Sequence, residues 1–110
     1  MSPKIEMTES ECALKILKEI EFNPHLTQRY LAHRFGISLG KINSLIGAFL
    51  DKGLIKVSNF KRSNNKTGYI YMLTMEGIQK RVSLTHAFLS RRLLEYEELK
   101  KELESISAVR

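Results

Sequence analysis

Only Gly36 and Ile37 separate one amphipathic helical pattern from the residue that caps the next, and this spacing constrains the fold more than any other feature. Thr27 is placed to cap a helix over about 27–35, with Leu26 and Leu31 as the hydrophobic pair outside and inside its start. Leu31, Ala32 and Phe35 form its apolar face, and Gly36 supplies the left-handed residue that ends it. Ser38 then caps a helix over about 39–52, where Ile37 and Ile42 repeat the staple. Ile42, Leu45, Ile46, Phe49 and Leu50 follow the i, i+3, i+4, i+7, i+8 spacing of a buried stripe until Gly53. Two short helices joined so tightly read as a helix-turn-helix.

The flanks extend this unit. Thr8 and Glu11 form a capping box ahead of Ala13, Ile16, Leu17 and Ile20, predicting a first helix over about 9–22 that Pro24 stops. After Gly53 the period changes. Residues 54–60 and 69–73 are rich in β-branched and aromatic side chains, and the polar stretch from Lys61 to Gly68 reads as the tip of a hairpin spanning 54–73. Thr74 caps a last helix, with Leu73 and Ile78 as its staple, and the pattern runs to about Ile106, either unbroken or interrupted near Ser83. The expected fold is mainly α with a small β-hairpin (α+β). A winged helix-turn-helix occupies 1–74, and a long C-terminal dimerisation helix of the same domain occupies 75–110.

The net charge of +6 is unevenly placed. Between Phe22 and Thr74 lie Arg29, Arg34, Lys41, Lys52, Lys56, Lys61, Arg62 and Lys66 against the single acid Asp51, so this segment carries +7 and the flanks −1. A polyanion-binding face needs such polarisation, because each Lys or Arg near a phosphate releases condensed counterions. Turning about 100° per residue, the third helix leaves Gly40, Ser44, Gly47, Ala48 and Asp51 opposite its buried stripe, flanked by Lys41 and Asn43. Small residues let a helix approach base edges closely. Ser38, Gly40, Lys41, Asn43, Ser44 and Ala48 are therefore the candidate recognition residues: Asn reads adenine, Lys donates to guanine or phosphate, and Ser38 with the helix N-terminus holds a phosphate. Lys61, Arg62, Asn64, Asn65 and Lys66 are candidate wing contacts, with Arg62 first among them for a narrow minor groove. Thr27, Gln28 and Arg29 are candidate backbone contacts at the start of the second helix.

Leu26-Thr27-Gln28-Arg29-Tyr30-Leu31-Ala32, Phe35-Gly36-Ile37-Ser38, Leu50-Asp51-Lys52-Gly53-Leu54-Ile55 and Tyr71-Met72-Leu73-Thr74-Met75-Glu76-Gly77 resemble the MarR-type winged-helix regulators. With Phe88-Leu89 and Glu95-Tyr96-Glu97, the chain is similar to the short regulators of that family associated with exopolysaccharide gene clusters. The resemblance implies a homodimeric transcriptional regulator on double-stranded DNA, helix 3 in the major groove and the wing on the adjoining backbone or minor groove. Met75 departs from the proline usual at that position. One long terminal helix stands in place of the additional helices of full-size members, so no small-molecule effector is carried over.

Val82, Leu89, Tyr96 and Leu103 recur every seven residues, with Leu99 and Ile106 between them. Leu89, Leu93, Tyr96, Leu99, Leu103 and Ile106 are the candidate dimer interface. Phe88, Leu89, Leu93 and Leu94 make a wider apolar face, expected to touch both the helix's own domain and a partner. A two-fold dimer predicts a pseudo-palindromic operator, and the resemblance points to polysaccharide biosynthesis genes. The competing expectation is a winged helix that binds protein and reads no DNA. No nucleophile-base-acid set, glycine-rich phosphate loop or ligand cluster is present, so neither enzyme activity, cofactor nor metal is expected. The lone Cys12 reads as a core residue. No run approaches the roughly 18 apolar residues of a membrane span, and Met1-Ser2-Pro3-Lys4-Ile5-Glu6 lacks a signal-peptide core. A cytoplasmic protein is expected.

Overall fold

The computed structural model describes residues 8–61 and 67–108, in the order α1 (Glu9–Phe22), α2 (Gln28–Phe35), α3 (Leu39–Asp51), β1 (Ile55–Lys61), β2 (Thr67–Leu73) and α4 (Met75–Ala108). Each helix starts on the hydroxyl that the sequence predicts. The N–H of Glu11 donates to Thr8 Oγ1 at 3.2 Å, that of Tyr30 to Thr27 Oγ1 at 3.0 Å, that of Lys41 to Ser38 Oγ at 3.1 Å and that of Gly77 to Thr74 Oγ1 at 3.0 Å. These bonds satisfy donors that the first turn would otherwise leave orphaned. Gly36 and Gly53 take left-handed φ of 64° and 70°, which turns the chain out of α2 and past α3.

One core holds the three helices and the hairpin root. Ile16, Leu17 and Ile20 of α1, Leu31 of α2, Ile42 and Ile46 of α3, and Ile55 and Tyr71 of the hairpin are all buried in it. Each aliphatic side chain taken out of water contributes about 1.5–3 kcal/mol. The strands pair antiparallel from Ile55 opposite Leu73 to Lys61 opposite Thr67. The N–H of Tyr71 also donates to the Pro24 carbonyl at 3.0 Å, so the loop after α1 covers the other side of β2.

Glutamates on α1 tie it to every other helix. Glu19 accepts from the Tyr30 hydroxyl at 2.7 Å and faces Arg34 of α2 at 3.7 Å, and Glu9 holds Lys41 of α3 at 3.3 Å. Glu21, at the far end of α1, pairs with Arg81 of α4, and Glu11, in its first turn, with Arg91 at 3.5 Å. The first half of α4 therefore runs antiparallel along α1, with Leu84 packed against the core and Phe88 half-buried. From Leu89 to Ala108 every residue is exposed, and the molecule is 71 Å long against 36 and 21 Å in its other dimensions.

Several boundaries differ from expectation. Helix α2 begins at Gln28, one residue inside its predicted cap Thr27, and α3 ends at Asp51, one residue before Lys52, where left-handed Gly53 turns the chain away. Leu54 is a buried turn residue and not part of a strand, whereas the pairing reaches outward through Lys61 and Thr67. Helix α4 is uninterrupted at Ser83, because an exposed serine costs an already long helix little. Ile78, expected to staple Leu73, is 42 % exposed. Of the wide apolar face on α4, only Phe88 meets the parent domain; Leu89, Leu93 and Leu94 face solvent.

Candidate nucleic-acid interface

Burial of Ile42, Leu45, Ile46 and Phe49 fixes which side of α3 faces outward. Ser38, Gly40, Lys41, Asn43, Ser44 and Asp51 are exposed, and Gly47 and Ala48 are half-buried between them. The outward face is thus flat and carries short polar groups near its N-terminus, the end where a recognition helix contacts base edges. A Cβ built at Gly40 or Gly47 would meet nothing within 4 Å, so the chain's own packing requires neither glycine.

Several side chains of the basic segment and the candidate face are already engaged inside the molecule. Lys41 holds Glu9, which belongs to the flank whose charge was counted separately from the basic segment. Arg34 is likewise committed to Glu19, so part of the segment's positive excess is neutralised by α1. Gln28 is half-buried and its amide donates to the Tyr71 hydroxyl at 3.5 Å, linking the start of α2 to β2. The Thr27 hydroxyl caps α2, while Arg29 is exposed beside it. Lys61 closes the strand pairing opposite Thr67. Arg62, Asn64, Asn65 and Lys66 lie outside the described residues.

Sequence reasoning missed Gly77. A Cβ there would lie 1.9 Å from the Leu54 carbonyl oxygen, so only glycine lets the first turn of α4 rest on the hairpin root. The same carbonyl accepts the Thr74 N–H at 3.0 Å, and the Thr74 hydroxyl donates to the Gly53 carbonyl. The interval from Gly53 to Gly77 is therefore clamped at its base, which sets the hairpin's direction relative to α3. The signal was present as Leu73-Thr74-Met75-Glu76-Gly77, but the contact that explains it is tertiary.

Burial pushes the Cys12 thiol up, which disfavours the thiolate and fits a core residue. Among the described residues no group of three His, Cys, Asp or Glu side chains could hold a metal ion, and no helix is long and apolar enough to cross a membrane. A shallow cavity of about 130 Å³ between α1 and α4 is lined by Ser10, Leu14, Leu84, Ala87, Phe88 and Arg91.

Residues 12–56 match the family described as winged helix-turn-helix DNA-binding. This stretch runs from α1 through both helices of the tight turn into the first wing strand. The fold is a winged helix-turn-helix. Solved structures extend the likeness beyond the matched stretch. The winged helix is similar to the zinc-dependent MarR-family transcriptional regulator AdcR in its Zn(II)-bound state, with 22% identity, a TM-score of 0.57, 92% of this chain covered and 65% of that one. It is also similar to the transcriptional regulator BldR of Sulfolobus solfataricus, with 23% identity, a TM-score of 0.59 and coverage of 90% and 73%. A point mutant of MepR from S. aureus, bound to an oligodeoxyribonucleotide, aligns with 20% identity, a TM-score of 0.58 and coverage of 94% and 80%. The chain thus spans about two thirds to four fifths of these structures' lengths. No curated protein matches the sequence.

Proposed function

We propose that this winged helix is a transcriptional regulator of MarR type that binds double-stranded DNA sequence-specifically as a homodimer in the cytoplasm. The observation that carries the reading is the outward face of α3, where Gly40, Asn43, Ser44, Gly47 and Ala48 keep side chains short, flanked by a basic hairpin, within a fold that one similar structure presents bound to DNA. In this reading 1–74 forms the DNA-binding part and 75–110 the dimerisation helix. Asn43 and Ser44 read base edges, Ser38 and the N-terminus of α3 hold a phosphate, Gly40 and Ala48 permit close approach, and Lys61, Arg62, Asn64, Asn65 and Lys66 grip the backbone or minor groove. Arg29 adds a phosphate contact. Lys41 reaches DNA by exchanging Glu9 for a phosphate. Gln28 acts through the Tyr71 hydroxyl, orienting the wing, and not as a direct contact.

The dimer presents two such faces to half-sites of a pseudo-palindrome about one duplex turn apart. The similarity of Phe88-Leu89 and Glu95-Tyr96-Glu97 to exopolysaccharide-associated regulators supports polysaccharide biosynthesis genes as targets. Sequencing of genomic fragments that co-purify with the protein should return inverted repeats, and gel-shift titration on those fragments should give a complex that weakens steeply with salt. Recovery of no enriched fragment, or a complex indifferent to salt, contradicts the reading.

A further inference from the structure

The exposed stripe on α4 is longer than the seam identified from sequence. Met75, Ile78 and Val82, 68, 42 and 52 % exposed, occupy the same heptad positions as Leu99, Leu103 and Ile106, each 62–65 % exposed, so a left-handed supercoil brings both groups onto one seam. Domain contacts through Gly77, Arg81, Leu84 and Phe88 occupy the side one residue, about 100°, away and leave this stripe free along the whole helix.

Charge along α4 is divided by position. Residues 75–94 contain Lys80, Arg81, Arg91 and Arg92 against the single acid Glu76, a net +3, whereas residues 95–108 contain five glutamates and two lysines, a net −3. Counting Glu11 and Glu21, which pair with Arg91 and Arg81, the domain-proximal half still carries +1. A second copy running parallel would place like charge on like along the full length. A copy running the opposite way would place each acidic arm on a basic, domain-bound half.

We infer that α4 pairs with a second copy of itself in antiparallel sense, each acidic arm lying along the basic proximal half of its partner. This rests on the homodimer in the proposed function and specifies its geometry. Seams of antiparallel helices set a positions against d positions. The alignment that uses every exposed apolar residue at the two ends puts Ile78 against the partner's Leu103, Val82 against the partner's Leu99 and Met75 against the partner's Ile106. The two-fold axis then passes between Ser90 and Arg91. The same alignment brings the partner's Glu102 toward Arg81, beside the Glu21 that Arg81 already holds.

Thiol pairs at these exposed positions test the register directly, since a disulfide forms only where Cα atoms come within about 7 Å. Ile78→Cys with Leu103→Cys in one chain, and separately Val82→Cys with Leu99→Cys, should give covalent dimers under mild oxidation. The four single variants should not, and buried Cys12 serves as the background in the unsubstituted protein. Efficient crosslinking of Leu103→Cys or Leu99→Cys alone means parallel pairing and overturns the inference. So does failure of both double variants to crosslink. Sedimentation and gel-shift measurements on the unsubstituted protein judge dimerisation and DNA binding independently, so a parallel dimer that binds DNA would overturn the geometry and leave the function standing.

Discussion

A methyl group added at Gly77 would lie 1.9 Å from the Leu54 carbonyl, whereas one added at Gly47 would meet nothing within 4 Å, so two helical glycines have different reasons for being there. Gly77→Ala forces backbone apart at the hairpin root and should cost about 1–3 kcal/mol or more in urea denaturation. Gly47→Ala removes a flexible residue from a helix interior and should stabilise the fold by about 1 kcal/mol. If the α3 face approaches DNA, that same substitution weakens operator binding in a gel shift; a variant that is both more stable and equally tight would show that Gly47 is not at the interface. Tyr30 offers a pH test. Its hydrogen bond to Glu19, the largest effect, raises its phenol above the ordinary value, so the neutral form is favoured in the folded state. The contribution is fully present below the unfolded tyrosine value of about 10 and is lost as pH rises through the higher folded one. Wild type should therefore lose its stability margin over Tyr30→Phe above about pH 10, read as converging urea midpoints.

Caps and stripes were legible at the scale of elements because they are local. Thr8, Thr27, Ser38 and Thr74 act within three residues of themselves, and the α3 stripe follows from helical geometry alone. What the sequence hid depends on partners far along the chain. Lys41 and Glu9 stand 32 residues apart, Gln28 and Tyr71 stand 43 apart, and no periodicity announces either pair. The candidate recognition face was thus readable as a set of residues, but not the fact that one member is held by α1. That contact carries a prediction of its own. An exposed ion pair contributes only about 0.2–1 kcal/mol, so DNA can displace it, yet its loss is felt in affinity. Glu9→Gln should release Lys41 and tighten operator binding up to about five-fold. The slope of log affinity against log salt should change little, because Lys41 neutralises one phosphate in both proteins, whereas Lys41→Ala should flatten it by about one contact. A slope unchanged by Lys41→Ala would mean that Lys41 does not reach a phosphate.

The whole molecule is a compact winged helix from which one helix leaves its own core. Helix α4 would measure about 50 Å at the usual rise, and it rests on α1 only as far as Phe88 and Arg91. On the proposed dimer, stability and assembly reside in different parts of the same helix. Ending the chain after Arg92 removes, among the described residues, only exposed ones, none of which is part of the buried core. The shortened protein should unfold at a urea midpoint close to that of the full chain when both are dilute enough to be monomeric. At concentrations where the full chain sediments as a dimer it should remain a monomer, because Leu93, Tyr96, Leu99, Leu103 and Ile106 are gone. Each half-site must then be bound separately, without the effective concentration that a linked second domain provides. Affinity for the full operator should fall by about a hundred-fold or more, while affinity for an isolated half-site stays near its original value. A large loss on the half-site as well would place DNA-contacting or fold-supporting groups in the arm, and a shortened chain that still dimerised would move the interface to Met75, Ile78 and Val82.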